Sequence, residues 1–203
     1  MLPLMKPTIT RIGLFGGTFD PIHIGHLIVA ETVRIRCQLD KLIFIPAKIH
    51  ALKDNNRITP VQHRLTMVKL AIEPHPAFEV SEIEIQRPGV SYSIDTIRNF
   101  RELYPPEKFQ LYFLLGSDAV NEFHLWHEPD VLLSLCEFIA FSRAGATTKP
   151  DSPYASAFTY VEIPALEISA SEIRKRVMAG ESIRYFVPEP VRRFIEKNQL
   201  YKI

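Results

Sequence analysis

Short apolar runs alternate along the chain with segments of helical periodicity, and this alternation constrains the fold more than any other feature. Ile12 to Phe15 (IGLF), Leu42 to Ile45 (LIFI), Leu111 to Leu115 (LYFLL) and Phe138 to Phe141 (FIAF) read as strands covered on both faces. Phe78 to Ile85 (FEVSEIEI) alternates like a strand with one buried face, and Phe158 to Ile163 reads as a last strand. Between them, helices are expected from Ile22 onward (with Leu27, Val29, Ala30, Val33 and Cys37 as an apolar face), over Pro60 to Ile72, Ser93 to Leu103 and Val131 to Leu135, and from Ser169 and Pro188 to the end. Arg143 to Ser156 is rich in Gly, Pro, Ser and Thr and reads as a surface loop. Strands joined through helices predict an α/β fold, a doubly wound parallel sheet with right-handed crossovers and a small C-terminal helical part at about 168 to 203. With 203 residues and no repeat or sharp boundary, residues 1 to 203 are read as a single domain.

In a doubly wound sheet, ligands belong at the carboxyl ends of the strands. The segment GGTFDPIHIGH, Gly16 to His26, stands at the first of these ends and opens the first helix. Such a turn presents backbone N–H groups and the positive end of a helix dipole to an anion. Gly16 and Gly17 would let phosphate approach the backbone. Asp20 reads as the helix cap with Pro21 at the first helical position, which puts His23 and His26 on one helix face with Gly25 clearing space between them. Surface histidines on an ordinary helix, or a zinc pair awaiting a third ligand, are the competing readings, and neither accounts for the glycines. The turn lacks the G-x-G-x-x-G spacing of dinucleotide sites and the G-K-[ST] ending of P-loops, which counts against hydride transfer and P-loop ATPase chemistry.

His23-Ile24-Gly25-His26 in its GGTFDP setting resembles the (H/T)-x-G-H motif of a nucleotidyltransferase superfamily with a Rossmann-like fold. The resemblance implies attack of a substrate phosphate on the α-phosphorus of a nucleoside triphosphate, with pyrophosphate leaving. It implies an ATP site at Gly16, Gly17, Thr18, Phe19, His23, Gly25 and His26. A phosphate monoester has a second pKa near about 6, so this nucleophile is already anionic at neutral pH and needs no general base. The histidines are therefore better cast as donors to the charge that spreads over the α-phosphoryl oxygens, a task shared with arginine, helix N-termini and Mg²⁺ accompanying ATP.

Near the C-terminus, Ile168 to Arg176 (ISASEIRKR) has the S-x-x-E spacing of a capping box at Ser169 and Glu172, with Arg174 expected in the first helical turn. A cation is unfavourable at that end of a helix, which suits Arg174 to a phosphate; a solvated basic helix through Lys175 and Arg176 is the alternative. The segment resembles the I-S-S-T-x-I-R signature of bacterial nicotinate mononucleotide adenylyltransferases, which assigns ATP phosphates to Ile168, Ser169, Ser171 and Arg174. Ala170 stands where the family has a second serine and Ser171 where it has threonine, so one hydroxyl is absent.

Three further matches concern the second substrate. Ser91 to Thr96 (SYSIDT) resembles the family's S-Y-T-x-D-T stretch, in which backbone at Ser93 receives the nicotinate carboxylate. Leu115-Gly116-Ser117-Asp118 ends a central strand, and the resemblance assigns Gly116 and Asp118 to nucleotide, with Asp118 on ribose hydroxyls of either substrate. Trp126, the only tryptophan, matches the residue stacking on the pyridine ring, with His127 offering backbone, and Lys53 in the loop Pro46 to Asn56 matches a lysine reaching substrate phosphate. Arg87 and Arg143 are phosphate or adenine candidates on position alone. The implied enzyme joins AMP from ATP to nicotinate mononucleotide, giving deamido-NAD, with His23, His26 and Arg174 catalytic. Nicotinamide mononucleotide or phosphopantetheine as acceptor, or a catalytically silent nucleotide-binding protein, are the alternatives.

Composition bounds the partners. A net charge of +1, from 24 basic and 23 acidic residues, gives no basic field for a nucleic-acid backbone. No apolar run approaches the roughly 18 residues of a membrane span, and MLPLMKPTITR lacks the apolar core of a signal peptide, so a cytoplasmic protein without membrane attachment is expected; a homo-oligomer stays open. Cys37 and Cys136 lie in apolar sequence without C-x-x-C spacing and read as reduced, buried thiols, and no protein metal site is expected.

Overall fold

A computed structural model describes residues 9–48, 58–143 and 151–202. Six strands, β1 (Thr10–Gly17), β2 (Lys41–Pro46), β3 (Phe78–Val80), β4 (Phe109–Gly116), β5 (Glu137–Arg143) and β6 (Phe158–Ile163), form one sheet in the order β3-β2-β1-β4-β5-β6 with every pairing parallel. This is the doubly wound order whose direction reverses between the first and fourth strands, the switch point where such sheets bind ligands. The glycines ending β1 and β4 meet there: Phe15 pairs with Leu114, one step before Gly16 and two before Gly116.

Among the described residues eight α-helices flank the sheet: α1 (Ile24–Arg36), α2 (Val61–Ile72), α3 (Ile83–Gln86), α4 (Ser93–Leu103), α5 (Asp118–Asn121), α6 (Pro129–Leu135), α7 (Ala170–Met178) and α8 (Glu189–Lys197). Alternation along the strands sends their apolar side chains to two cores. Ile12, Leu14, Leu111, Phe113 and Leu115 pack with Ile97 and Phe100 of α4 and Leu132 of α6. Phe15, Tyr112 and Leu114 face the other way, onto Val29 and Val33 of α1, Met67 and Val68 of α2, Ile173 of α7 and Val191 and Ile195 of α8. The C-terminal helices thus share a core with the first helix. Cys136 is buried and Cys37 only half-buried; both are free, and burial pushes the Cys136 thiol up to about 12.

Two elements differ from expectation. The strand predicted over Phe78 to Ile85 ends at Val80, paired with β2 over Leu42 to Phe44. Ser81 Oγ then accepts the Ile83 amide at 3.3 Å and turns the chain into α3, which buries Glu84 and Ile85. The first helix begins at Ile24 rather than Ile22, and Asp20 is not its cap. The Asp20 carboxylate is committed elsewhere, to the Thr59 amide at 3.1 Å and the Tyr201 hydroxyl at 2.7 Å, and His23 takes the cap position with extended backbone.

Candidate active site

Two hollows open at the carboxyl ends of the strands and share Phe15, Gly16, Gly17, Gly116 and Phe141 as their common wall. The first, of about 570 Å³, lies between the β1–α1 turn and the start of α7; Phe19, His23, Gly25, His26, Asp118, Ile168 and Ser169 line it. The second, of about 470 Å³, lies over the start of α4, where Ser93, Trp126 and His127 line it. Asp118, expected at both substrates, lines only the first hollow.

The histidine pair is built by the turn. The His26 backbone N–H donates to His23 O at 2.9 Å, and the His23 amide donates back to His26 Nδ1 at 3.2 Å. An accepting Nδ1 places the His26 proton on Nε2. The two rings stack with centroids 3.7 Å apart, and Phe15 and Phe19 meet His26 edge-on at 6.2 and 5.1 Å. Burial lowers the His23 pKa to about 4, so its ring is neutral at pH 7. A Cβ on Gly25 would stand 3.0 Å from His23 Nδ1, so glycine here makes room for the ring itself. At Gly17 the crowding comes from Phe19, whose ring would lie 2.7 Å from a Cβ. That glycine is required by the packing of Phe19 as well as by any approaching phosphate.

Helix N-termini bring positive dipole ends to the site. α1 and α7 begin at the first hollow, and α4 begins at the second with Tyr92 as a cap that makes no side-chain hydrogen bond, leaving its first-turn amides without intrahelical partners. At α7, Ser169 Oγ accepts the Glu172 amide at 3.2 Å, which is one half of the expected capping box; the Glu172 carboxylate instead pairs with Arg176 at 3.1 Å. Arg174 is the fifth residue of α7, one position past the expected first turn. Its side chain leans back toward the helix start, as helical side chains do, and donates through Nη1 to Asp20 O at 2.7 Å and through Nη2 to Ser171 Oγ at 3.4 Å. Arg174, Ser171 and Thr18 stand beside the first hollow without lining it; Thr18 O accepts Arg64 Nη1 at 2.7 Å. Lys53 lies outside the described residues, as does the side chain of Arg143.

Several residues escaped the sequence reading. Glu84, Ser91 and Tyr92 line the second hollow, and beneath it Thr96 Oγ1 donates to Glu84 Oε1 at 2.7 Å and accepts Arg87 Nη2 at 2.9 Å. Arg87, a phosphate or adenine candidate on position alone, is held by Thr96 next to Glu84, and burial raises the Glu84 pKa. Pro164, Leu166 and Phe141 give the first hollow an apolar wall. Arg64 of α2, only 1% exposed, donates to Thr18 O, Thr59 O and Ala47 O at 2.7 to 2.9 Å. A lone arginine on an amphipathic helix carries no sequence mark of such a role.

Residues 14–176 match the family model described as cytidylyltransferase-like. Over 200 residues the chain is 46% identical to a protein of Thermoanaerobacter sp. named "Probable nicotinate-nucleotide adenylyltransferase", covering 95% of this chain and 94% of that one. A protein of the same name from Salinibacter ruber is 42% identical over 192 residues, with 94% and 97% covered. The fold is also that of a Plasmodium falciparum nicotinic acid mononucleotide adenylyltransferase solved with NaAD, at a TM-score of 0.78 and 22% identity, with 95% of this chain and 97% of that chain aligned. The same protein solved with APC aligns at a TM-score of 0.76. A doubly wound sheet with a paired-histidine turn at its switch point, together with relatives alike over nearly their whole length, places the chain in the nicotinate-nucleotide adenylyltransferase family.

Proposed function

We propose that this protein transfers AMP from ATP to nicotinate mononucleotide, forming deamido-NAD and pyrophosphate, with triphosphate in the first hollow and mononucleotide in the second. The observation that carries the reading is the shared wall. The two hollows meet over Gly16, Gly17 and Gly116, with Phe15 and Phe141 completing the common wall. A phosphate entering from the α4 side and a triphosphate lying along the starts of α1 and α7 would therefore come together at one point.

In this reading a mononucleotide phosphate oxygen attacks the ATP α-phosphorus in line. The new P–O bond forms as the bond to the β-phosphate oxygen breaks, and pyrophosphate leaves with that electron pair. His26 Nε2–H, the neutral His23 ring and Arg174 donate to the oxygens on which charge builds, and the amides of Gly25 and Ala170 add the ends of two helix dipoles. Asp118 accepts ribose hydroxyls. In the second hollow the first-turn amides of α4, at Ser93, receive the nicotinate carboxylate, Trp126 covers the pyridine ring and His127 adds backbone. Lys53 is assigned to substrate phosphate.

Among the described residues no three His, Cys, Asp or Glu stand close enough to hold a metal, and Asp118 is the one carboxylate lining the first hollow. That donor set fits Mg²⁺ carried in by the triphosphate, with most of its ligands phosphate oxygens and water. When bound, the ion neutralises phosphate charge. No helix among the described residues is long and apolar enough to cross a membrane, in keeping with a cytoplasmic enzyme working on small molecules. We read residues 1 to 203 as one catalytic domain whose C-terminal part, from about 168, completes the ATP site. Pyrophosphate release with ATP and nicotinate mononucleotide tests the assignment; release only with phosphopantetheine, or with no acceptor, contradicts it.

A further inference from the structure

The turn that closes α8 reaches back to the first motif. Asn198, Gln199 and Leu200 close α8 with backbone bonds to Phe194, Glu196 and Ile195, and Tyr201 then adopts left-handed backbone at φ 63°. From there its hydroxyl donates to Asp20 Oδ1 at 2.7 Å, across 181 residues of sequence. Asp20 is 5% exposed. Its other carboxylate oxygen takes the Thr59 amide, and its carbonyl takes Arg174 Nη1 at 2.7 Å. A second C-terminal bond lands on the same turn, from the Ile24 amide at the start of α1 to Phe186 O at 2.9 Å.

We propose that Tyr201 is a positioning residue for adenylyl transfer: its hydroxyl fixes Asp20, and Asp20 fixes both the phosphate-binding turn and the guanidinium of Arg174. The buried carboxylate has two donors here, and removing one leaves an oxygen that can be satisfied only by rotating the side chain or admitting water. Either change loosens the tether that holds the Asp20 turn against the C-terminal segment and Thr59, and with it the position of the carbonyl that aims Arg174. The Tyr201 ring packs against the apolar core and would do so without its hydroxyl, so the ring and the hydroxyl have separable roles. The place of Arg174 on phosphate rests on the function proposed above.

Tyr201→Phe isolates the hydroxyl. The expected result is a kcat lower by about tenfold or more, since small displacements of a positioned group are costly, with KM for nicotinate mononucleotide within about twofold and thermal stability near wild type. In an Arg174→Ala background the same substitution is expected to add little, because the two residues act in series. If packing were the whole contribution, Tyr201→Phe would match wild type and only Tyr201→Ala would fall; that result overturns the proposal. So would an Asn198→Ala control, loosening the same tail, that lowers kcat as much as Tyr201→Phe does. Calorimetric binding of a non-hydrolysable ATP analogue separates this claim from the assigned reaction. Weaker analogue binding by Tyr201→Phe is also expected, because Arg174 is misaimed. A wild type that releases no pyrophosphate overturns the reaction, while analogue binding equal in wild type and Tyr201→Phe overturns the positioning role.

Discussion

His26 and His23 divide one task by their surroundings. The His23 amide occupies His26 Nδ1, so the His26 proton lies on Nε2, the nitrogen available for donation. His26→Ala should lower kcat by roughly 10²- to 10³-fold with the fold intact, as loss of a donor to developing charge does elsewhere. Steady-state kinetics with a circular dichroism control checks it, and a loss under about tenfold would detach the ring from the reaction. His23 makes a different prediction. Its pKa of about 4 in the folded chain lies below the ordinary 6.5, so the unfolded state binds this proton more readily. The stability of the neutral ring is complete above pH 6.5 and is lost as pH falls through 4, a cost of roughly 3 kcal/mol from this one group. A bound triphosphate favours the charged ring and should move the midpoint upward. Proton NMR of the ring, with and without an ATP analogue, reads both effects; a free-protein midpoint near 6.5 contradicts the first.

At the scale of elements, three helix starts open onto the hollows, α1 and α7 onto the first and α4 onto the second. Their positions were legible because each carries its own punctuation, the glycine turn before α1, SYSIDT at α4 and the S-x-x-E spacing at α7. Ser169→Ala removes the serine cap of α7 and should cost about 1 kcal/mol in chemical denaturation while weakening ATP. An unchanged midpoint together with unchanged ATP affinity would mean that the α7 start is held by Arg174 and the core alone. What punctuation could not show was the use made of polar side chains. Asp20 before Pro21 has the local look of a cap, yet its carboxylate serves Thr59 and Tyr201, partners that no window of sequence brings near it. Likewise the alternation of Phe78 to Ile85 was real, but the strand ends at Val80, where Ser81 turns the chain into α3.

For the whole molecule, the order β3-β2-β1-β4-β5-β6 brings β1 and β4 together although nearly a hundred residues separate them, and that adjacency creates the junction of the two hollows. Apolar runs fixed which segments are strands, and the resemblance fixed which ends matter; the buried links from Arg64 and Tyr201 that hold these ends in register are tertiary and left no periodic trace. The proposed preference for the acid rests on the second hollow, where the first-turn amides of α4 would receive a carboxylate. Donors set for an anion bind a neutral amide less well, and an amide turns its own NH₂ toward one of them, leaving a buried N–H unpaired at about 1 to 3 kcal/mol. At about 1.4 kcal/mol per decade, one lost bond alone separates the two substrates by roughly 5- to 150-fold. The decisive measurement is a competition in which the enzyme, ATP and equal amounts of nicotinate and nicotinamide mononucleotide react in one vessel and both dinucleotides are quantified by mass. The account predicts deamido-NAD in excess by at least that ratio, and equal yields, or an excess of the amide product, would contradict it.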